Sequence, residues 1–154
     1  MTTIGIRPGR PDEAAMLSGL ALRSKAFWGY DEQFLEACRT ALTVRPGDVS
    51  TRRVMVAEAS GRVVGFYNLD GTPPEGALGN LWIEPTYVRN GIGRRLWDHA
   101  MASARAAGFA TVLIDADPFA EGFYLAMGAE RIGEVASDAV PGRMLPQLRV
   151  LLPA

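Results

Sequence analysis

The segment Leu81–Ala107, LWIEPTYVRNGIGRRLWDHAMASARAA, constrains this chain more than any other stretch. A short apolar run, Leu81-Trp82-Ile83, is broken at Pro85, and the turn Arg89-Asn90-Gly91-Ile92-Gly93 leads into a segment of helical periodicity. Ile92, Leu96, Ala100, Ala104 and Ala107 recur at three- and four-residue steps. They form one apolar stripe that faces a sheet, while Arg94, Arg95, Asp98 and Arg105 fall elsewhere. The pattern is strand, turn, helix. The glycines fall at the helix start, where the first backbone N–H groups lack intrahelical partners and carry the positive dipole end. Two readings stay open: a turn that needs glycine for steric reasons, and an anion site whose natural guest is a phosphate or pyrophosphate. The familiar phosphate loops do not apply. No Gly-x-x-x-x-Gly-Lys-Ser/Thr occurs, and Leu96 stands where Gly-x-Gly-x-x-Gly has its third glycine.

Elsewhere the chain alternates strand and helix signals. Thr3–Arg7 reads as an edge strand ended by Pro8-Gly9, and a helix follows from Pro11 towards Trp28, with Ala15, Leu17, Leu20, Ala21 and Leu22 on its apolar face. Asp31 caps a second helix to about Leu42, with Phe34, Leu35, Cys38, Ala41 and Leu42 inward. The connection Phe27-Trp28-Gly29-Tyr30 either packs the two helices together or walls a pocket. Residues 44–50 read as a loop, 51–59 and 62–69 as a hairpin joined at Ser60-Gly61, and GTPPEGALG as a turn before the central strand. After Gly108 come a short strand, Thr111–Asp115, a helix, Phe119–Met127, and two strands, Arg131–Ala136 and Arg143–Leu152.

This order implies an α/β (α+β) domain spanning residues 1–154: a mixed, mostly antiparallel sheet of about seven strands with helices on both faces. One β-α-β crossover through the central helix makes the strands at 81–83 and 111–115 parallel neighbours. If they part at Pro85, the gap exposes unpaired strand groups beside the helix N-terminus. An extended, amide-bearing ligand with a phosphate tail suits that geometry, and coenzyme A has both features.

Composition excludes several classes. A formal charge of -1 with the basic residues dispersed gives no general attraction to nucleic acid or anionic lipid. The apolar runs are too short to span a bilayer, and the N-terminus lacks a signal-peptide core, so a cytoplasmic protein is expected. With Cys38 the one cysteine and His99 the one histidine, no metal centre is expected.

Two motifs resemble the GNAT superfamily of N-acyltransferases. Leu81-Trp82-Ile83-x-Pro85-x-Tyr87-x-x-x-Gly91-Ile92-Gly93-x-x-Leu96 is similar to its acyl-CoA-binding segment, usually Gln/Arg-x-x-Gly-x-Gly/Ala. Downstream, Asp117-Pro118-x-Ala120-x-x-Phe123-Tyr124-x-x-x-Gly128-Ala129 resembles Asn-x-x-Ala-x-x-Phe-Tyr-x-x-x-Gly-Phe. Val88 and Asp117 depart from the family's Gln/Arg and Asn, although Val88 keeps a backbone N–H.

The resemblance implies a GNAT-like acyl-CoA N-acyltransferase fold and an enzyme moving an acetyl group from acetyl-CoA to a primary amine of a small molecule, in a ternary complex. Coenzyme A would be held by Trp82, Ile83, Val88, Arg89, Asn90, Gly91, Ile92, Gly93, Arg94, Asp117, Phe119 and Tyr124. Tyr124 would be the acid at the departing thiolate, a backbone N–H such as that of Ile83 the oxyanion donor, and Glu84 the base. Trp28, Tyr30, Tyr67 and Asn68 are candidate acceptor contacts, and the loop before Arg143 could close over them. A silent acyl-CoA-binding module and acetylation of a protein amino group are the alternatives. Pairing of terminal strands makes a homodimer plausible.

Overall fold

The computed structural model describes residues 3–153; residues 1, 2 and 154, the ends of the expected domain, lie outside the described residues. Seven strands form one sheet: β1 (Ile4–Pro8), β2 (Met55–Ala59), β3 (Arg62–Thr72), β4 (Glu75–Ile83), β5 (Thr111–Asp115), β6 (Glu130–Ala136) and β7 (Met144–Leu151). Their order is β1-β2-β3-β4-β5-β7-β6, and every neighbouring pair is antiparallel except β4 and β5. The helices are α1 (Ala14–Ala26), α2 (Glu32–Leu42), α3 (Pro46–Thr51), α4 (Ile92–Ala106) and α5 (Glu121–Ala126).

Strand alternation builds two cores, one on each face of the sheet. On one face Tyr67, Leu69, Leu78, Val112, Ile114 and Leu148 pack under α4 and α5; on the other Val56, Val63 and Phe66 pack under α1 and α3. The α4 stripe meets the sheet as its spacing predicts, with Ile92, Leu96, Ala100 and Ala104 buried. Ala107 is exposed because the helix ends one residue before it. Each large apolar side chain so buried contributes about 1.5–3 kcal/mol. The helix α2 is more peripheral than its pattern suggests: of its expected inner residues only Cys38 is buried, and Ala41 is exposed.

Three boundaries differ from the sequence reading, and each has a local cause. Residues 44–50 are not all loop, because Pro46 opens α3 and Asp48 accepts from the Arg45 N–H (2.9 Å) as a cap. The strand expected from Thr51 therefore begins at Met55. GTPPEGALG is mostly strand, since β3 continues to Thr72 and β4 resumes at Glu75, leaving Pro73-Pro74 as the turn.

The longer β4 relocates the parting of the parallel strands. Pairing with β5 covers only Glu75–Ala77 against Thr111–Leu113, so the strands diverge well before Pro85. The divergence coincides with a bulge: Leu69 pairs with Leu78 and Asn68 with Asn80, leaving Gly79 as the extra residue. A Cβ on Gly79 would meet Asp70 Oδ2 and lie 2.7 Å from Asn68 Oδ1, so any larger residue would have to displace those side chains.

Candidate functional site

The divergence of β4 and β5 opens a cavity of about 360 Å³. At one end lies the start of α4, where Gly91 adopts φ 77° as its N-cap. The Arg95 N–H bonds the Gly91 carbonyl (3.2 Å) as the helix's first internal bond, which leaves the N–H groups of Ile92, Gly93 and Arg94 without intrahelical partners. Gly91, Gly93, Arg89 and Arg94 all line the cavity. Arg95 does not, because its guanidinium donates to the Ile4 carbonyl (2.8 Å). This end joins helix N–H groups to two guanidiniums, a donor set for an anion.

Along the middle runs the edge of β4. The Glu84 N–H bonds the Val64 carbonyl (2.8 Å), so by alternation the Trp82 N–H also faces β3, while those of Leu81 and Ile83 face the gap. The opposite wall is Ile114–Asp117 from the end of β5, with Ala120, Phe123 and Tyr124 from the segment after it. Tyr124 is buried among Phe123 (ring centroids 5.3 Å) and Trp97 (5.8 Å), yet it lines the cavity. Burial raises its phenol pKa, and the Asp117 charge raises it further. It is therefore a protonated donor at neutral pH.

Of the residues expected from sequence, Trp28, Trp82, Ile83, Val88, Arg89, Gly91, Gly93, Arg94, Asp117 and Tyr124 converge on this cavity. The others do not line it. Ile92 is core beneath the sheet face, and Asn90 is exposed. Phe119 stacks on Trp28 (5.6 Å, 11° between planes). Val88 does line the cavity, but its N–H is committed to the Pro85 carbonyl (3.3 Å). Tyr67 points under α4, bonding His99 Nδ1 (2.7 Å) and Ser103 (3.2 Å). Asn68 is fully buried in a relay in which Arg52 holds Asp70 twice (2.7 Å each), Asn68 donates to Asp70 (2.9 Å), and Asn80 donates to Asn68 (2.8 Å).

Glu84 is the clearest departure from expectation. Its carboxylate is buried and held by both arms of Arg23, Nε to Oε1 at 2.9 Å and Nη2 to Oε2 at 2.7 Å, and it does not line the cavity. The Arg23 hydrogen bonds keep its pKa below the usual carboxylate range against the opposing effect of burial. Tyr30 likewise does not line the cavity; half-buried, it donates to Asp117 (3.0 Å) and accepts from Arg143 (2.6 Å). Burial and the neighbouring Asp117 push its phenol up to about 12.

Sequence reasoning missed the hub of that cluster. Lys25 of α1 places Nζ 2.5 Å from Asp117 Oδ2, with the lysine and aspartate side chains 9% and 7% exposed. Its ammonium also lies over the rings of Tyr30, Phe34 and Trp82 at 5.1–5.9 Å from their centroids. Burial alone would raise the Asp117 pKa, but the Lys25, Phe119 N–H and Tyr30 hydrogen bonds outweigh it and the net shift is downward. Lys25 offered no motif; only its position on the otherwise apolar side of α1 could have flagged it.

These carboxylates set an acid limit on stability. Asp117, Glu84 and Glu13, the last held by Arg7 (2.8 Å), are more acidic folded than unfolded. Their contribution is complete above the unfolded value of about 4 and is lost as pH falls through the folded values. Calorimetry is expected to show a melting temperature nearly flat from about pH 7 to 5 and falling steeply below about pH 4. A melting temperature that rises on acidification would contradict the pairing.

Among the described residues no group of three or more His, Cys, Asp or Glu could hold a metal ion, and no helix is long and apolar enough to cross a membrane. The PaiA N-acetyltransferase of Thermoplasma acidophilum, crystallised in complex with coenzyme A, superposes with a TM-score of 0.82 at 16% identity, covering 97% of this chain and 99% of its own. A GCN5-related N-acetyltransferase of Rhodopseudomonas palustris gives 0.83 at 24% identity, covering 99% and 98%. The ribosomal-protein-S18-alanine N-acetyltransferase of Escherichia coli gives 0.73 at 16% identity, covering 99% and 96%. No curated protein matches the sequence. The acetyltransferase (GNAT) family matches residues 21–129, a span that runs from α1 through the turn, α4 and the segment carrying Tyr124, and the chain belongs to that family.

Proposed function

We propose that this chain transfers an acetyl group from acetyl-CoA to the primary amine of a small molecule, by direct attack in a ternary complex. One observation carries the reading: a single cavity joins the unpaired N–H groups of α4, with Arg89 and Arg94, to the open edge of β4 and to Tyr124. The residues fit a coenzyme A tail. Diphosphate charge suits the N-terminus of α4 and its two guanidiniums, and the Leu81 and Ile83 peptide groups facing the gap suit a ligand that carries amides. The likeness to these solved structures supports the fold alone, and the acceptor class is part of the proposal.

When bound, acetyl-CoA supplies a thioester whose carbonyl carbon the neutral amine attacks, its ammonium proton having gone to water; a C–N bond forms, the C–S bond breaks, and the proton shed as the amide forms also goes to water. The Ile83 N–H faces the gap, where it can donate to the developing oxyanion. Tyr124 lines the cavity and, as a phenol, is protonated at neutral pH; it gives its proton to the departing sulfur and regains one from water. Glu84 has no part in this scheme: a carboxylate held low by Arg23 and turned from the cavity is a poor proton acceptor.

A thermal-shift titration with CoA, acetyl-CoA and ATP tests the reading. Either CoA form at a hundred times its dissociation constant should add about 2.7 kcal/mol of stability, and ATP much less. Gly91→Glu places a carboxylate among the N–H donors and is expected to abolish the CoA-induced shift. Space is not the issue, because a Cβ there meets nothing within 4 Å. The left-handed φ of 77° strains most residues, so Gly91→Asn, which tolerates that conformation, separates strain from charge and should keep most of the affinity. Full CoA binding by Gly91→Glu would move the phosphate site elsewhere.

A further inference from the structure

The charged side chains lining the cavity are four: Arg89, Arg94, Asp115 and Asp117. They are segregated. Both arginines flank the α4 N-terminus, whereas both aspartates come from the end of β5. Val112, Ile114 and Ala116 face the core under α4 and α5, so the alternate residues Asp115 and Asp117 turn to the α1 face. The Lys25–Asp117 contact fixes that direction independently. Ser24, Phe27 and Trp28 at the end of α1, with Asn80 and Trp82 of β4, complete the cavity on this side.

The two aspartates differ in what they already hold. Asp117 is committed to Lys25, to the Tyr30 hydroxyl and to the Phe119 N–H. Asp115 is exposed, and among the described residues it has no ion-pair partner; Oδ1 accepts from the neutral Gln147 amide at 3.1 Å. The cations nearest this end are also spent. Lys25 and Arg143 hold Asp117 and Tyr30, Arg23 holds Glu84, and none of the three lines the cavity. An incoming ammonium meets an available carboxylate there, while an incoming carboxylate meets no available cation and two negative charges.

On the acetyl-transfer reading above, we propose that Asp115 docks the ammonium of the acceptor, and that the acceptor is a primary amine on an apolar or aromatic body without a carboxylate beside the nitrogen. The aromatic wall supplies the body's contact: Trp28 and Phe27 are 37% and 54% exposed, and the Trp82 indole is fixed by donating to Asn80 (2.8 Å). α-Amino acids fit poorly, since their carboxylate would face Asp115 and Asp117 without compensation. Asp115 acts as a positioning residue: it holds the ammonium, which becomes the nucleophile once it has lost a proton to water.

Calorimetric titration of phenethylamine, phenylalanine and 3-phenylpropionate into the protein, with and without saturating CoA, tests the idea. Phenethylamine should bind, phenylalanine at least about tenfold more weakly, and 3-phenylpropionate below detection. Asp115→Asn should weaken phenethylamine at least about tenfold and leave CoA affinity unchanged, and Asp115→Glu should recover much of the loss. The retained CoA-induced thermal shift reports that both variants are folded. Equal binding of phenylalanine or 3-phenylpropionate, no binding of phenethylamine, or unchanged binding by Asp115→Asn overturns the proposal. Loss of CoA binding by the parent protein would instead defeat the acetyl-transfer reading, and the titration without CoA still reads the acceptor site.

Discussion

Lys25→Met is expected to destabilise the protein by about 3 kcal/mol or somewhat more, because it leaves the Asp117 carboxylate, in a site where that side chain is 7% exposed, with only the more distant Arg143 guanidinium at 3.7 Å. For a chain of this size the melting temperature should drop by roughly 6–20 °C. The loss comes from the under-compensated buried charge more than from the missing attraction, and a second substitution reveals this. Asp117→Asn removes the charge while keeping an oxygen to accept the Phe119 N–H, which Asp117 now caps at 2.9 Å. The double variant Lys25→Met/Asp117→Asn should therefore be more stable than Lys25→Met alone, with a coupling above about 1 kcal/mol in a double-mutant cycle. Additive effects would show that the pair is not energetically linked. The same cluster ties α1 to the end of β5 through Lys25, and Arg143 adds the loop before β7 through Tyr30. Loosening it should also blur the acceptor side of the cavity.

Tyr124→Phe carries the largest expected effect on rate. On the proposed mechanism the phenol is the acid for the departing thiolate, and its removal should lower kcat by about 10²–10⁴. CoA affinity should change little, because the ring that packs against Trp97 and Phe123 remains. Steady-state assays of thiol release, with CoA affinity measured by titration, separate the two quantities. Undiminished turnover would remove Tyr124 from the chemistry. Glu84→Gln provides a contrast. It breaks a charged pair with Arg23, whose side chain is 53% exposed, so a modest stability loss with largely retained turnover is expected.

The elements of the fold were legible wherever a local periodicity or a breaker fixed them. The 3.6-residue stripe of α4, the glycine turn before it and the alternation in the strands are properties of short windows. Tyr124 was legible by a different route, the resemblance of the segment Asp117–Ala129 to a family motif. The misread stretches were those in which a local signal was true but outweighed. The glycines and prolines of GTPPEGALG do mark irregularity, yet Gly76 and Gly79 are strand residues because pairing with β3 absorbs them, Gly79 as a bulge.

The candidate site was legible only in its backbone half. The amino-acid sequence by itself determined the turn that exposes the α4 N–H groups and the strand leading into it, because each depends on residues within a few positions of one another, while the family resemblance pointed to the tyrosine that follows. The tertiary structure decided where β4 leaves β5, that Glu84 is spent on Arg23 sixty-one residues away, and that Asp117 is spent on Lys25 ninety-two residues away. It also left Asp115 available inside the cavity. The physical reason is that a carboxylate's role depends on which cation reaches it first, and that is settled by packing between distant elements, on which local periodicity is silent.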